Sequence, residues 1–280
     1  MPTEARHKPT SHPESIKMLV LETDEQHPET HEKAGSFGDV FDNLFKTAGD
    51  NHDPSLGIES LIHFVVEDKG GAVPSVDDLG DIHAVLITGS MYDAHASDEW
   101  ILKLVKFVQD TWRRRPDVRF SGVCFGHQVI CRALGSTVDA TPGRKWELSH
   151  TPVTLTPMGE KLFRTKGKIN LHQMHQDHVV NAPSSKTTDL LSNEDEVHVW
   201  GSTETTEVQG IFIKGRAFTS QGHLGFDEHM VHKQIEQRVE RGSIQDFEAA
   251  DAGKSKADLK HDGEIVASAI LRFFHGDDSL

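Results

Sequence analysis

The chain has 280 residues, with 29 Lys plus Arg against 44 Asp plus Glu, for a formal charge of −15. That balance argues against nucleic acid, whose phosphates need clustered cations, and against anionic lipid. Two Cys in this length exclude a disulfide framework or a Cys-rich zinc site, while 36% hydrophobic residues suffice for a core.

No apolar run is long enough for a membrane span. Residues 1–15 lack the apolar centre of a signal peptide and read as a flexible polar tail. A cytoplasmic location is the expectation, with residues 16–280 forming a single domain. In chain order, Ile16–Leu21 predicts a buried strand with a polar exit at Glu22-Thr23-Asp24. Residues 25–36 read as loop. A helix is expected from Ser36, with Phe37, Val40, Phe41, Leu44 and Phe45 on one face. Strands follow at Leu61–Val66 and Ala84–Thr88. Next comes a helix over Asp98–Trp112 with Ser97 as N-cap, and then a strand at Val118–Val123. Strands alternating with helices predict an α/β fold, a mostly parallel sheet with helices on both faces.

The second half reads differently. Trp146–Leu155, Thr188–Ser192, Gln209–Ile213 and Ala217–Gln221 predict short strands, the last two joined by a turn at Lys214-Gly215-Arg216. Antiparallel additions to the sheet are therefore expected. Helices are expected at 227–242 and 259–274, with 243–258 a loop or frayed helix.

The chemistry concentrates in Gly122-Val123-Cys124-Phe125-Gly126-His127-Gln128. A strand runs into Cys124, glycines flank it at −2 and +2, and a helix follows. This is a nucleophile elbow with Cys in place of Ser. The turn lifts the sulfur above the sheet, and the helix N-terminus is expected to lower the thiol pKa. The N–H of Phe125 is placed to hold an oxyanion. Cys131, two helical turns on among Val129, Ile130 and Leu134, reads as packing and is too far along the helix for a disulfide to Cys124.

This segment resembles the G-x-C-x-G-x-Q signature of class I (triad-type) glutamine amidotransferases. Three further segments match in order. Ile87–His95 (ITGSMYDAH) is similar to the family's oxyanion loop. Met174-His175-Gln176-Asp177-His178-Val179 is similar to its S-H-x-D-x-V segment, and Gln221-Gly222-His223 to the start of its Q-x-H-P-E segment. The resemblance covers about residues 16–240. It is nearest to stand-alone members related to the GMP synthetase glutaminase domain and to plant γ-glutamyl peptidases. It implies a flavodoxin-like fold, Cys124 as nucleophile and His223 as general base. It also implies an oxyanion hole at Gly89 and Phe125, and a glutamyl pocket at Ser90, Gln128, His175, Gln176 and Asp177.

The chain departs from the family in one place. The family continues with Pro and Glu, whereas this sequence has Leu224-Gly225. Gly225 cannot orient His223. Asp227 or Glu228 is a candidate replacement acid, with Asp177 a remoter one; both Asp227 and Glu228 also suit a helix N-terminus. His172, His175 and His178 recur every third residue. Neither strand nor helix geometry brings three such side chains to one ion, so no metal and no cofactor are expected.

The expected function is cleavage of a γ-glutamyl amide through a γ-glutamyl thioester. The substrate is glutamine, with ammonia passed to a separate synthase, or a γ-glutamyl peptide or glutathione conjugate. The alternatives are a pseudo-amidotransferase that binds or regulates because its triad is incomplete, and a thiol-dependent isomerase or glyoxalase on a related fold.

Overall fold

The computed structural model describes residues 5–10, 12 and 14–277. Arg6–Lys8 forms strand β1 and Ser15–Glu22 strand β2. Residues 6–8 lie in the stretch expected to be a flexible tail. They are instead ordered as an antiparallel edge, because Arg6 also bonds Asp39 and Ser36 and Lys8 pairs with Asp39. Residues 25–36 were expected as loop, yet Pro28–Ala34 forms helix α1. Proline occupies its first turn, and the His27 side chain accepts the Glu29 N–H. Helix α2, Phe37–Asp50, starts on a capping box between Ser36 and Asp39.

Strand β3 is Gly57–Phe64, four residues earlier in onset than its apolar run suggested, and β4 is Ala84–Ile87. Helix α3 spans Glu99–Arg114. Asp98, not Ser97, holds its cap position, without a side-chain bond. Strand β5, Arg119–Val123, leads through Cys124 into helix α4, Phe125–Ala133.

The later elements are strand β6 (Val138–Ala140), strand β7 (Glu147–Leu155), helix α5 (Pro157–Phe163), strand β8 (Lys168–His175) and strand β9 (Asp177–Val179). Strands β10 (Val197–Val199), β11 (Gly201–Ser202), β12 (Ile211–Ile213) and β13 (Ala217–Ser220) follow. Helices α6 (Glu228–Glu240), α7 (Phe247–Lys254) and α8 (Gly263–Phe274) close the chain. Residues 188–192 form no strand. Their apolar pair Leu190–Leu191 instead anchors a turn in the core, where the Leu190 carbonyl accepts the indole N–H of Trp112 at 2.9 Å.

The main sheet has eight strands in the order β1-β3-β2-β4-β5-β13-β12-β10. Its centre, from β3 to β13, is parallel, and both edges are antiparallel. The α/β expectation therefore holds, with a flavodoxin-like parallel core. Two helical layers cover it. One apolar cluster joins α3 and α4 to one face; the other joins α2 and α8 to the opposite face. The sequence placed β7 as an addition to this sheet. It pairs instead with β8 and β11 in a separate three-stranded antiparallel sheet, and β6 pairs with β9. A third cluster, including Phe37, Met174, Phe226 and Met230, ties this layer to α6. The site lies beyond the carboxyl ends of β2, β4, β5 and β13, where parallel α/β sheets bind ligands.

Candidate active site

Cys124 has φ 54° and ψ −109°, the strained conformation of an elbow between β5 and α4. Its N–H bonds the Ser220 carbonyl at 2.8 Å, and the N–H of Gly126 bonds Thr88 at 3.1 Å. Both flanking glycines are required by close approach. A Cβ on Gly122 would fall 2.4 Å from the Gly126 backbone, and one on Gly126 would fall 2.1 Å from the Ile87 carbonyl oxygen. The sulfur receives the Phe125 N–H, the donor expected for the oxyanion, and the Gln221 side-chain amide faces it.

Helix position was expected to lower the thiol pKa. Burial outweighs it and pushes Cys124 up to about 11, opposed by the positive charge of Arg238 and the Phe125 N–H. Cys131 lies fully buried in the core, where burial drives its thiol still higher.

The oxyanion loop is clamped to the exit of β2. Thr23 Oγ1 donates to the Gly89 carbonyl at 3.0 Å, Ser90 Oγ donates to the Thr23 carbonyl at 2.8 Å, and Met91 N–H donates to Asp24 at 2.9 Å. The position a Cβ would take on Gly89 is 2.9 Å from His223 Cε1 and 3.6 Å from both His223 Nδ1 and Cys124 Cβ. Gly89 is thus a floor shared by Cys124 and His223, and the Cε1–Nδ1 edge of the ring faces that floor. The His223 N–H is fixed at 2.8 Å to the His172 carbonyl. Burial holds the His223 pKa well below 6.5, reinforced by Arg238, His175 and His172.

No carboxylate completes a triad among the described residues. Asp227 is exposed and caps α6, accepting the Met230 N–H at 2.7 Å; Glu228 is exposed on the first turn of α6. Asp177 lies beside His95, at 3.4 Å. The first two candidate replacement acids are therefore helix-terminus charges, and the third faces another histidine. The Nε2 of His223 is buried without a protein hydrogen-bond partner. A Cβ on Gly225 would point at α2, 2.8 Å from Val40 Cγ1 and 3.6 Å from Leu44 Cδ2.

A cavity of about 980 Å³ opens over Cys124, lined also by Ser90, Gln128, His175, Gln176 and Asp177. The fold therefore brings together Cys124 and the five residues assigned to the glutamyl pocket, with His223 and Gly89 against an adjoining cleft. Gln128 Nε2 donates to the Asp177 carbonyl at 2.8 Å and to Gln221 Oε1 at 3.0 Å, tying α4 to β9 and to the end of β13. Gln176 donates to the Arg144 carbonyl at 2.6 Å.

Four further residues shape the site and were given no role from the sequence. Arg238 on α6 is buried between the two cavities, its guanidinium bonded to Gln234 and to no carboxylate among the described residues. Burial lowers it only to about 10, so it remains a cation. Glu147 on β7 is buried, with Oε2 2.9 Å from His175 Nε2 and further bonds from Thr203, Thr205 and Gln209. Burial alone would raise its carboxyl; His175 and the two hydroxyls hold it at about 2. His175 Nδ1 faces the Asp177 carbonyl at 3.0 Å, so the ring lies between Glu147 of β7 and Asp177 of β9. Thr23 and Gln221 complete the set. A Glu on the buried face of a strand was a legible signal for Glu147; nothing local marks Arg238.

His172 lies against His150 and His261, apart from His175 and His178. No group of three or more His, Cys, Asp or Glu among the described residues is arranged to hold a metal ion. No helix among them is long and apolar enough to cross a membrane.

The glutamine amidotransferase class-I family model matches residues 77–235. The chain belongs to that family. A glutamine amidotransferase-like protein of Schizosaccharomyces pombe is 30% identical over 257 residues, covering 91% of this chain and 97% of the relative. Gamma-glutamyl peptidase 3 of Arabidopsis thaliana is 26% identical over 247 residues, covering 86% and 88%. Among solved structures, a glutamine amidotransferase from Thermotoga maritima superposes with a TM-score of 0.59 at 17% identity, covering 92% of this chain and 98% of that one. This last likeness concerns the fold.

Proposed function

We propose that this class I glutamine amidotransferase-like protein hydrolyses the γ-amide of a γ-glutamyl peptide, with Cys124 as nucleophile and His223 as general base. The observation that carries the reading is the Cys124 elbow, its sulfur under the Phe125 N–H at a large cavity, with Gly89 against both Cys124 and His223. His223 Nδ1 takes the thiol proton as sulfur bonds the carbonyl carbon of the γ-amide. The carbonyl oxygen becomes an oxyanion near Gly89 and Phe125. The intermediate collapses, the C–N bond breaks, and the imidazolium returns its proton to the leaving nitrogen. Water then attacks the thioester carbon, giving its proton to His223. Glutamate leaves, and the sulfur takes the proton back.

Two features support a peptide over glutamine. The cavity is near the upper end of the roughly 300–1,000 Å³ that suits ligands larger than one amino acid. Its lining also carries charges of both signs, among them Asp93 and Asp177 with Arg144, Lys145 and Arg241. The acids fit an α-ammonium group and the cations fit carboxylates of the peptide. Gamma-glutamyl peptidases among the relatives support the same choice.

The test is glutamate release from glutamine, glutathione and glutathione conjugates by the wild type and Cys124→Ala. The variant should lose at least about a thousandfold in kcat/KM. Equal rates would refute the assignment. A catalytically silent binding module is the second reading, favoured by the absence of any carboxylate bonded to His223 among the described residues. A glutamine-like chloroketone separates the two: covalent capture at Cys124 supports hydrolysis, and no capture supports the module.

A further inference from the structure

We propose that Phe226 is the positioning residue of His223, taking by ring stacking the orienting role that a triad gives to its acid. This rests on the Cys124–His223 reading above. The two rings are 3.8 Å apart between centroids and 13° from parallel. Every other ring pair in the described protein is 4.7 Å apart or more. Phe226 is itself held, 5% exposed, in the cluster with Phe37, Met174 and Met230. One face of the imidazole is therefore fixed by a ring that the core does not let turn.

The remaining constraints leave this task to Phe226. The backbone of His223 is pinned by His172, but that bond does not set the side-chain torsions. The Gly89 floor limits the Cε1–Nδ1 edge. Nε2, where a second hydrogen bond would fix the ring, has no protein partner. A side chain at Gly225 would run into Val40, and Asp227 is committed to capping α6. The charged groups around the ring are Arg238, His175 and His172, all cationic or neutral. Stacking supplies orientation without a counter-charge. A triad acid supplies both, holding the ring and stabilising the imidazolium.

Phe226 lines the small cleft behind His223 and not the large cavity over Cys124. Its loss should therefore change kcat and leave KM unchanged. The first measurement needs no substrate: the rate of Cys124 alkylation by iodoacetamide between pH 6 and 10, located by mass spectrometry, in the full chain. His223→Ala sets the unassisted rate. Phe226→Leu should lower alkylation at pH 7 by about tenfold or more, towards His223→Ala, as expected for loss of an oriented base. Phe226→Tyr keeps the ring and should remain within about twofold of wild type over the whole pH profile. If Phe226→Leu does not fold, Phe226→Met fills the same space without a ring and should behave as Leu. Phe226→Leu or Met with a wild-type pH profile would overturn the proposal, as would an alkylation rate that His223→Ala leaves unchanged. The second measurement is kcat and KM for γ-glutamyl peptides. If the wild type cleaves none of them while Phe226→Leu still slows alkylation, the γ-glutamyl reading fails and the positioning role stands. If the wild type cleaves them and Phe226→Leu matches it in kcat and alkylation, the positioning role fails alone.

Discussion

Restoring the family acid by Gly225→Glu is the most direct perturbation of this site, and the structure expects it to fail. Any Cβ at 225 falls 2.8 Å from Val40 Cγ1 and 3.6 Å from Leu44 Cδ2. The first distance is inside contact, and the partner is a β-branched side chain with little freedom at χ1. Overpacking of this kind costs about 1–3 kcal/mol, and a carboxylate pressed against two apolar side chains adds desolvation. Gly225→Glu should therefore lose about 2 kcal/mol in urea unfolding and gain nothing in kcat. Adding Val40→Ala removes the obstructing methyls, and the double variant should recover stability relative to Gly225→Glu alone. Only there can the new carboxylate turn towards His223 Nε2, with an increase in kcat as the readout. A single Gly225→Glu that is as stable as wild type and faster would refute the claim that α2 occupies the place of the acid.

Three other outcomes follow from the same geometry. Glu147 is held at about 2 against its usual 4.5, so it contributes stability above pH 4.5 that is lost as pH falls through 2. Glu147→Gln should flatten that acid limb and cost about 3 kcal/mol at pH 7 in denaturant unfolding; a wild-type acid limb in the variant would refute the pairing with His175. Gly126→Ala puts a methyl 2.1 Å from the Ile87 carbonyl and should lose at least about 3 kcal/mol, whereas a neutral result would mean that α4 and β4 can separate without penalty. Arg238→Met removes the cation that opposes burial of the thiol, so Cys124 should titrate higher than in the wild type. Its alkylation at pH 8 should fall, and an unchanged pH midpoint would show that Arg238 is not coupled to the sulfur.

The parts of this molecule that could be read from sequence are those set by local pattern. The Cys124 elbow is one, because Gly122 and Gly126 are demanded by contacts within six residues of each other and with the adjacent strand. The parallel centre of the sheet is another, since its strands are short apolar runs between amphipathic helices. What escaped depends on partners distant in the chain. Arg6 and Lys8 become a strand because Asp39 and Ser36 receive them, 30 residues or more away. Leu190 and Leu191 gave the apolar signal of a strand but serve as a plug under Trp112. Arg238 sits on a helix of mixed polarity, and only the fold turns it inward to Cys124. The failure of Asp227 and Glu228 as replacement acids has the same origin. Both lie at helix-start positions, and the cap bond to Met230 decides the direction of Asp227.

These placements change where charge acts in the proposed reaction. In a Ser-His-Asp triad the acid lies behind the histidine and stabilises the imidazolium that forms. Here the groups around His223 disfavour that cation, and burial does so most. The compensation lies in front, at the sulfur. Arg238 provides a permanent positive charge, and the Phe125 N–H is turned to the same sulfur. A resting thiol and a neutral imidazole follow, with the proton moving only as carbon–sulfur bonding begins. Cys tolerates this better than Ser because its thiolate is intrinsically the stronger nucleophile at a given pH. Replacing Cys124 by Ser tests the point without disturbing the elbow, since the two side chains differ by one atom. If charge is supplied at the sulfur alone, Cys124→Ser should lose activity nearly as completely as Cys124→Ala, because no acid remains to help His223 deprotonate a hydroxyl. A serine variant that retains substantial turnover would mean that His223 is stabilised as a cation after all, by a group outside those that now surround it.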